Sequence, residues 1–110
     1  MAETTDAIDV YWRPGCGFCM ALDRQLSRMQ VPMHKRNIWD DPSAAEFVRQ
    51  HANGNETVPT VHIGEQVLVN PTPNDVLRTM QEQVPHLVPE GVEPRPEGKM
   101  GGAVRRLLGG

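Results

Sequence analysis

The sequence predicts a small α/β domain with the element order βαβαββα, in which three helices flank a four-stranded mixed sheet. Three observations carry that prediction. A β-branched and aromatic run, Ile8-Asp9-Val10-Tyr11-Trp12, gives way across Pro14-Gly15 to apolar residues at helical spacing, Cys19, Leu22, Leu26 and Met29. A second strand-like and helix-like pair follows. Two short apolar runs separated only by Gly64-Glu65 then read as a hairpin. A strand, helix and strand in succession form a right-handed crossover, so the first two strands are expected to be parallel and the closing hairpin antiparallel.

Along the chain, Val31-Pro32 turns the first helix into a strand from Met33 to Ile38. Its His34, Lys35 and Arg36 suit a solvated edge. Trp39-Asp40-Asp41-Pro42 is a loop, and Asp41 or Ser43 caps a helix running to about His51, with Ala45, Val48 and Ala52 inward. Asn53-Gly54-Asn55 ends that helix. The hairpin strands are Thr60-Val61-His62-Ile63 and Gln66-Val67-Leu68-Val69. Thr72-Pro73-Asn74-Asp75 supplies an N-cap, a proline at the first helical position and a capping acid. Val76, Leu77, Met80 and Val84 form the buried face of the last helix. Tyr11, Trp12 and Trp39 are read as packing residues.

The composition narrows the function classes. The chain has 110 residues, suited to one domain, and a formal net charge of −3, which gives no reason to expect nucleic acid or a charged membrane as partner. Met1 to Asp6 has neither a basic nor an apolar region of a signal peptide, and no run approaches the roughly 20 apolar residues of a membrane span. The two cysteines form one C-x-x-C, so there is no disulfide framework of the secreted type. A reducing cytoplasm and a monomer are expected. The four histidines are scattered without metal-ligand spacing, and no metal site is assigned.

The chemistry concentrates in Cys16-Gly17-Phe18-Cys19, placed after a strand and at the start of a helix. At an N-cap, the Cys16 side chain faces the unpaired N–H groups of the first turn, and the helix dipole favours a thiolate there. Such cysteines have pKa values lowered to roughly 3.5–7.5, nucleophilic near neutral pH. Arg13 adds a cation upstream. Cys19 lies one turn in, on the apolar stripe, and is expected to be less exposed and less ionised. The pair divides into an attacking and a resolving thiol. A second motif, Thr57-Val58-Pro59, directly precedes the third strand, where proline cannot donate to a ladder. A cis Pro59 would turn the Val58 backbone toward Cys16 and let it pair, strand-fashion, with an extended substrate.

These motifs, Tyr11-Trp12-Arg13-Pro14-Gly15-Cys16-Gly17-Phe18-Cys19 and Thr57-Val58-Pro59-Thr60-Val61, resemble the glutaredoxin family, whose fold is thioredoxin-like. The actinobacterial mycoredoxins are similar in further places: the C-G-aromatic-C site, Ala45-Glu46-Phe47-Val48, Asn53-Gly54-Asn55-Glu56 and Val69-Asn70-Pro71. The resemblance covers roughly residues 8 to 84, taken within a domain of residues 1–84. It implies a thiol–disulfide oxidoreductase that reduces mixed disulfides between proteins and mycothiol, the small thiol of those bacteria. Mycothiol is then a co-substrate rather than a bound cofactor, oxidised mycothiol being recycled by a mycothiol disulfide reductase. Cys16 and Cys19 are the implied catalytic residues. Arg13, Phe18, Thr57, Val58, Pro59, Asn74 and Asp75 are the implied thiol-binding residues, with capping an equal explanation of the last two.

Departures from glutathione-dependent glutaredoxins point away from glutathione. Gly17 stands where they usually carry proline, and Val69-Asn70 stands where they carry Gly-Gly. Thioredoxin proper is disfavoured because Val10 occupies the position of its buried acid, and Asp9 on a strand faces the opposite way. Two alternative functions share the motif. One is a redoxin that donates electrons to ribonucleotide reductase and is reduced by thioredoxin reductase. The other is a [2Fe–2S] iron–sulfur cluster carrier, which Gly17 leaves open. From Pro85 to Gly110 the chain is rich in proline and glycine and reads as a flexible extension, extended from Pro89 to Gly102. Gly102 to Leu108 suits a short amphipathic turn, and docking of this segment on the domain or on a client is the sharper alternative.

Overall fold

The order in space follows from the pairing preferences of four short strands. A computed structural model describes residues 6–95. It contains β1 (Ile8–Trp12), α1 (Gly17–Arg28), β2 (Met33–Asn37), α2 (Pro42–His51), β3 (Thr60–Ile63), β4 (Gln66–Val69), α3 (Pro73–Gln83) and a 3-10 turn at Pro85–Leu87. The sheet order is β2-β1-β3-β4. β1 pairs in parallel with β2, Val10 opposite Lys35, and antiparallel with β3, Val10 opposite Val61. β3 and β4 close as an antiparallel hairpin, Ile63 opposite Gln66. This is the thioredoxin-like arrangement expected from the sequence.

The alternation within β1 divides the core in two. Ile8 and Val10 join Leu22 and Leu26 of α1, Val61 and Ile63 of β3, and Val76, Leu77 and Met80 of α3. Tyr11 points to the opposite face and packs with Ile38 and with Ala44, Ala45 and Val48 of α2. Each fully buried aliphatic side chain contributes about 1.5–3 kcal/mol by leaving water. Together these two clusters hold the C-terminal end of β1, where the reactive loop begins, between helices on both faces.

Local chemistry sets the helix ends. Asp41 caps α2, its Oδ1 accepting from the N–H of Ser43 and Ala44 at 3.0 and 3.4 Å, with Pro42 in the first turn. Thr72 and Asp75 form a reciprocal capping box on α3, at 3.1 and 3.0 Å. Edge strand β2 presents His34, Lys35 and Arg36 to solvent. Lys35 and Arg36 are held by Asp23 and Asp9 at 3.1 and 3.0 Å, and charges of this kind discourage edge-to-edge pairing.

The packed unit does not stop at Val84. Leu87, Val88 and Val92 pack on the cluster beneath α3, and the Arg95 backbone is bonded to Asn74. The stretch 85–95, read from its prolines and glycines as a flexible extension, is therefore a strap on the domain. Sparse apolar residues suffice because they meet an already formed surface. The expectations for residues 1–5 and for 96–110, including the amphipathic turn at Gly102 to Leu108, lie outside the described residues. Among the described residues, no helix is long and apolar enough to cross a membrane.

Candidate active site

The reactive loop is shaped by a glycine and a cap. Gly15 has φ +80, a conformation strained for any residue with a Cβ, and it delivers the chain into Cys16 at the N-cap of α1. The Cys16 side chain accepts from the Cys19 N–H at 3.1 Å. Cys16 and Cys19 are joined as a disulfide, with Cα atoms 5.2 Å apart, so this is the oxidised form of the pair. Both are buried, Cys16 at 5 % exposure and Cys19 at 3 %. Exposure therefore does not separate them as the sequence suggested. What separates them is the cap, since Cys16 receives an N–H that Cys19 provides.

The segment before β3 closes over this sulfur. The Val58–Pro59 bond is cis, as the functional reading of Thr57-Val58-Pro59 required. The Val58 carbonyl oxygen lies 3.8 Å from Cys16 Sγ. A carbonyl oxygen opposes negative charge on sulfur and an N–H favours it, and at Cys16 the N–H is the closer of the two, 3.1 against 3.8 Å. Thr60, fully buried, donates its hydroxyl to the Thr57 carbonyl at 2.8 Å, and the Asn70 N–H donates to the Pro59 carbonyl at 2.7 Å. These two bonds fix the loop from its own strand and from the end of β4. Asn70 has φ +54, which asparagine tolerates better than most residues.

The remaining sequence-predicted residues are placed as follows. Arg13 is half-buried, donates to the Pro14 carbonyl at 3.1 Å and sits 5.8 Å from the ring of Trp39. Phe18 is 74 % exposed. With Ala21, Gln25, Asn70, Pro71 and Thr72 it lines a groove of about 250 Å³ between α1 and the turn into α3. Asn74 and Asp75 do not line that groove. The Asn74 amide accepts from the Arg95 N–H at 2.6 Å and donates to the Arg95 carbonyl at 3.0 Å, while Asp75 serves the capping box. Arg78 donates to the same carbonyl at 3.0 Å.

Two features went unread in the sequence. Trp39 is 63 % exposed rather than packed, and Met20 is 57 % exposed beside Cys19. Asn70 and Thr72 enter the groove with Phe18, which their place before a helix could have suggested. Among the described residues, no three His, Cys, Asp or Glu side chains are grouped to hold a metal ion. Tyr11, packed under α2, is pushed up by burial and by Asp9.

A cysteine at a helix N-terminus, joined as a disulfide to a second one turn in, with a fixed carbonyl facing the first, is an arrangement that can carry out thiol–disulfide exchange. The comparisons with known proteins agree. The glutaredoxin family model matches residues 8–68. Two Mycobacterium tuberculosis proteins that carry a provisional glutaredoxin name, from strains CDC 1551 and H37Rv, are 34 % identical over 73 residues, 66 % of this chain and 87 % of theirs. A crystal structure of a mutant of the thioredoxin-like protein BC3987 superposes with a TM-score of 0.49 at 24 % identity, covering 56 % of this chain and 82 % of that one. With its site geometry, its fold and its mycobacterial relatives, this chain belongs to the glutaredoxin family and carries the redox-active cysteine pair of a glutaredoxin-type thiol–disulfide oxidoreductase.

Proposed function

We propose that the protein reduces mixed disulfides between proteins and mycothiol, in a reducing cytosol, with Cys16 as nucleophile. The observation that carries this is Cys16 Sγ at the N-cap, 3.1 Å from the Cys19 N–H and 3.8 Å from the Val58 carbonyl oxygen. The mycobacterial source of the relatives, and Gly17 and Val69-Asn70 in place of the usual glutathione features, support mycothiol as the thiol.

In this reading the Cys16 thiolate attacks the mycothiol sulfur of the mixed disulfide. The bond between that sulfur and the protein sulfur breaks, and the protein thiolate leaves and takes a proton from solvent. A second mycothiol, as thiolate, then attacks the same sulfur, releasing mycothiol disulfide and restoring the Cys16 thiolate. Each turnover thus consumes one free mycothiol, whose sulfur takes the place of the protein sulfur in the disulfide, and a reductase returns mycothiol disulfide to two thiols. Cys19 competes by closing the intramolecular disulfide. Arg13 and Phe18 flank the incoming thiol, and Thr57, Val58 and Pro59 present the strand-like backbone it lies against. Asn74 and Asp75 act by fixing the first turn of α3.

The test is coupled turnover on one mycothiolated protein, with three electron sources in parallel: mycothiol with its reductase, glutathione with its reductase, and thioredoxin reductase alone. Turnover with mycothiol alone supports the reading. Turnover with thioredoxin reductase alone replaces it with a redoxin of the ribonucleotide-reductase type.

A further inference from the structure

The first turns of α1 are flanked by grooves on two sides. Phe18 lines one, toward the turn into α3. Met20, two positions on and so on a different side of the helix, lines the other. This second groove, of about 260 Å³, runs between α1 and the C-terminal halves of β1 and β2. Its lining is half apolar, from Val10, Trp12, Cys19 and Met20, and half polar, from Asp23, Lys35, Asn37 and Asp40. Trp39, next in sequence to Asp40, has the Arg13 guanidinium 5.8 Å from its ring. Met20 and Trp39 are two of the three large apolar side chains that the described residues leave exposed, the third being Phe18.

We infer that this second groove docks a large uncharged apolar side chain of a client protein, adjacent in the client's sequence to the cysteine whose mixed disulfide is brought to Cys16. The inference rests on thiol–disulfide exchange at Cys16. Three observations fit that occupant. Cys19, half of the reactive pair and with its Cα 5.2 Å from that of Cys16, forms part of the groove lining, so the groove is within reach of a side chain next to a cysteine whose disulfide meets Cys16. The volume lies below the roughly 300 Å³ at which pockets begin to enclose whole small ligands, and suits one side chain. The polar groups of the lining are bonded to one another: Asp23 holds Lys35 at 3.1 Å, and Asp40 accepts from the neutral Asn37 amide at 3.2 Å. An apolar side chain leaves both bonds in place. The exposed Trp39 and Met20 extend the apolar surface along the path of a polypeptide, farther than a small thiol reaches.

The experiment uses the pre-reduced protein in single turnover. The substrates are two synthetic peptides, each a mixed disulfide with 2-mercaptoethanol, differing only in leucine or serine beside the cysteine, together with bis(2-hydroxyethyl) disulfide. In each case Cys16 and Cys19 give up two electrons and close their disulfide, and the substrate's two sulfurs leave as thiols. The native protein is expected to reduce the leucine peptide about tenfold faster than the serine peptide. The double variant Met20→Ser, Trp39→Ala should cut that preference to under about threefold, with bis(2-hydroxyethyl) disulfide within about twofold of native. Absence of a preference in the native protein, a preference that survives in the variant, or an equal loss on all three substrates would each overturn the inference. A dimer that Trp39→Ala dissolves would assign the surface to a second copy and also overturn it. Failure of the native protein to reduce even bis(2-hydroxyethyl) disulfide would instead remove the exchange chemistry on which the inference stands.

Discussion

The Cys19 N–H points at the sulfur of Cys16 from 3.1 Å, so in the proposed mechanism the resolving residue assists the attacking one through its backbone. That role survives loss of the Cys19 thiol. In a Cys19→Ser variant, the rate-against-pH profile for iodoacetamide alkylation of Cys16 should therefore still lie on the acid side of an ordinary cysteine's, about 8.5. Cys16→Ser should have no turnover, and Cys19→Ser should retain mixed-disulfide reduction. A Cys16 that titrates as an ordinary thiol would contradict the N-cap account.

Thr60 holds the loop that faces Cys16. Its hydroxyl donates to the Thr57 carbonyl, and Thr60 is fully buried. Thr60→Val keeps the volume and strands that carbonyl, a cost of about 1–3 kcal/mol. Denaturant unfolding should show the loss, and kcat/KM should fall with it because the Val58 carbonyl is no longer fixed. Unchanged stability would show that the bond contributes nothing net.

Asp41 links pH to the stability of α2. Hydrogen bonding from the Ser43 side chain, and from the Ala44 and Ser43 N–H groups, holds its carboxyl below the usual 3.8, outweighing the opposing effect of desolvation. Folded affinity for the proton is thus weaker than unfolded affinity. The stabilisation is fully present above about pH 4 and is lost as pH falls through the folded value. The difference in melting temperature between the native protein and Asp41→Ala should therefore be constant at neutral pH and shrink below about pH 4. A difference that grows on acidification has the wrong sign for this cap.

Asn74, for which the sequence left thiol binding and capping open, has a third role in the structure. As a clasp for the strap it makes two bonds to the Arg95 backbone. Asn74→Ala should then speed hydrogen exchange at the Arg95 amide and cost about 0.5–2 kcal/mol. A raised KM for the small thiol with the Arg95 amide still protected would return Asn74 to thiol binding.

Legibility in the sequence followed the range of the forces involved. The hairpin Thr60 to Val69 matches its predicted strands to the residue, because Gly64-Glu65 is a local turn and Gly64 takes φ +59. The cap of α3 was equally local. At α2 the sequence offered Asp41 or Ser43, and the choice fell to Asp41, which caps while Ser43 donates to it at 2.7 Å. The pairing of Cys16 with Cys19 and the cis bond before Pro59 were legible because each rests on a short motif of fixed spacing. Trp39 could not be placed, since whether a loop tryptophan packs depends on partners distant in sequence. The strap failed for the same reason: Val88 and Val92 are too sparse to form a pattern, yet they meet a surface built by α3. Asn74 looked like a ligand residue only because its partner, Arg95, is 21 residues away.

The central claim is that Cys16 takes mycothiol from a client and not the client from mycothiol. Cys19→Ser, reduced and incubated with one equivalent of a mycothiolated protein, tests it by intact mass. The account predicts a mycothiol adduct on Cys16 and a client released as free thiol. A covalent complex of Cys16 with the client, or no transfer at all, would contradict it.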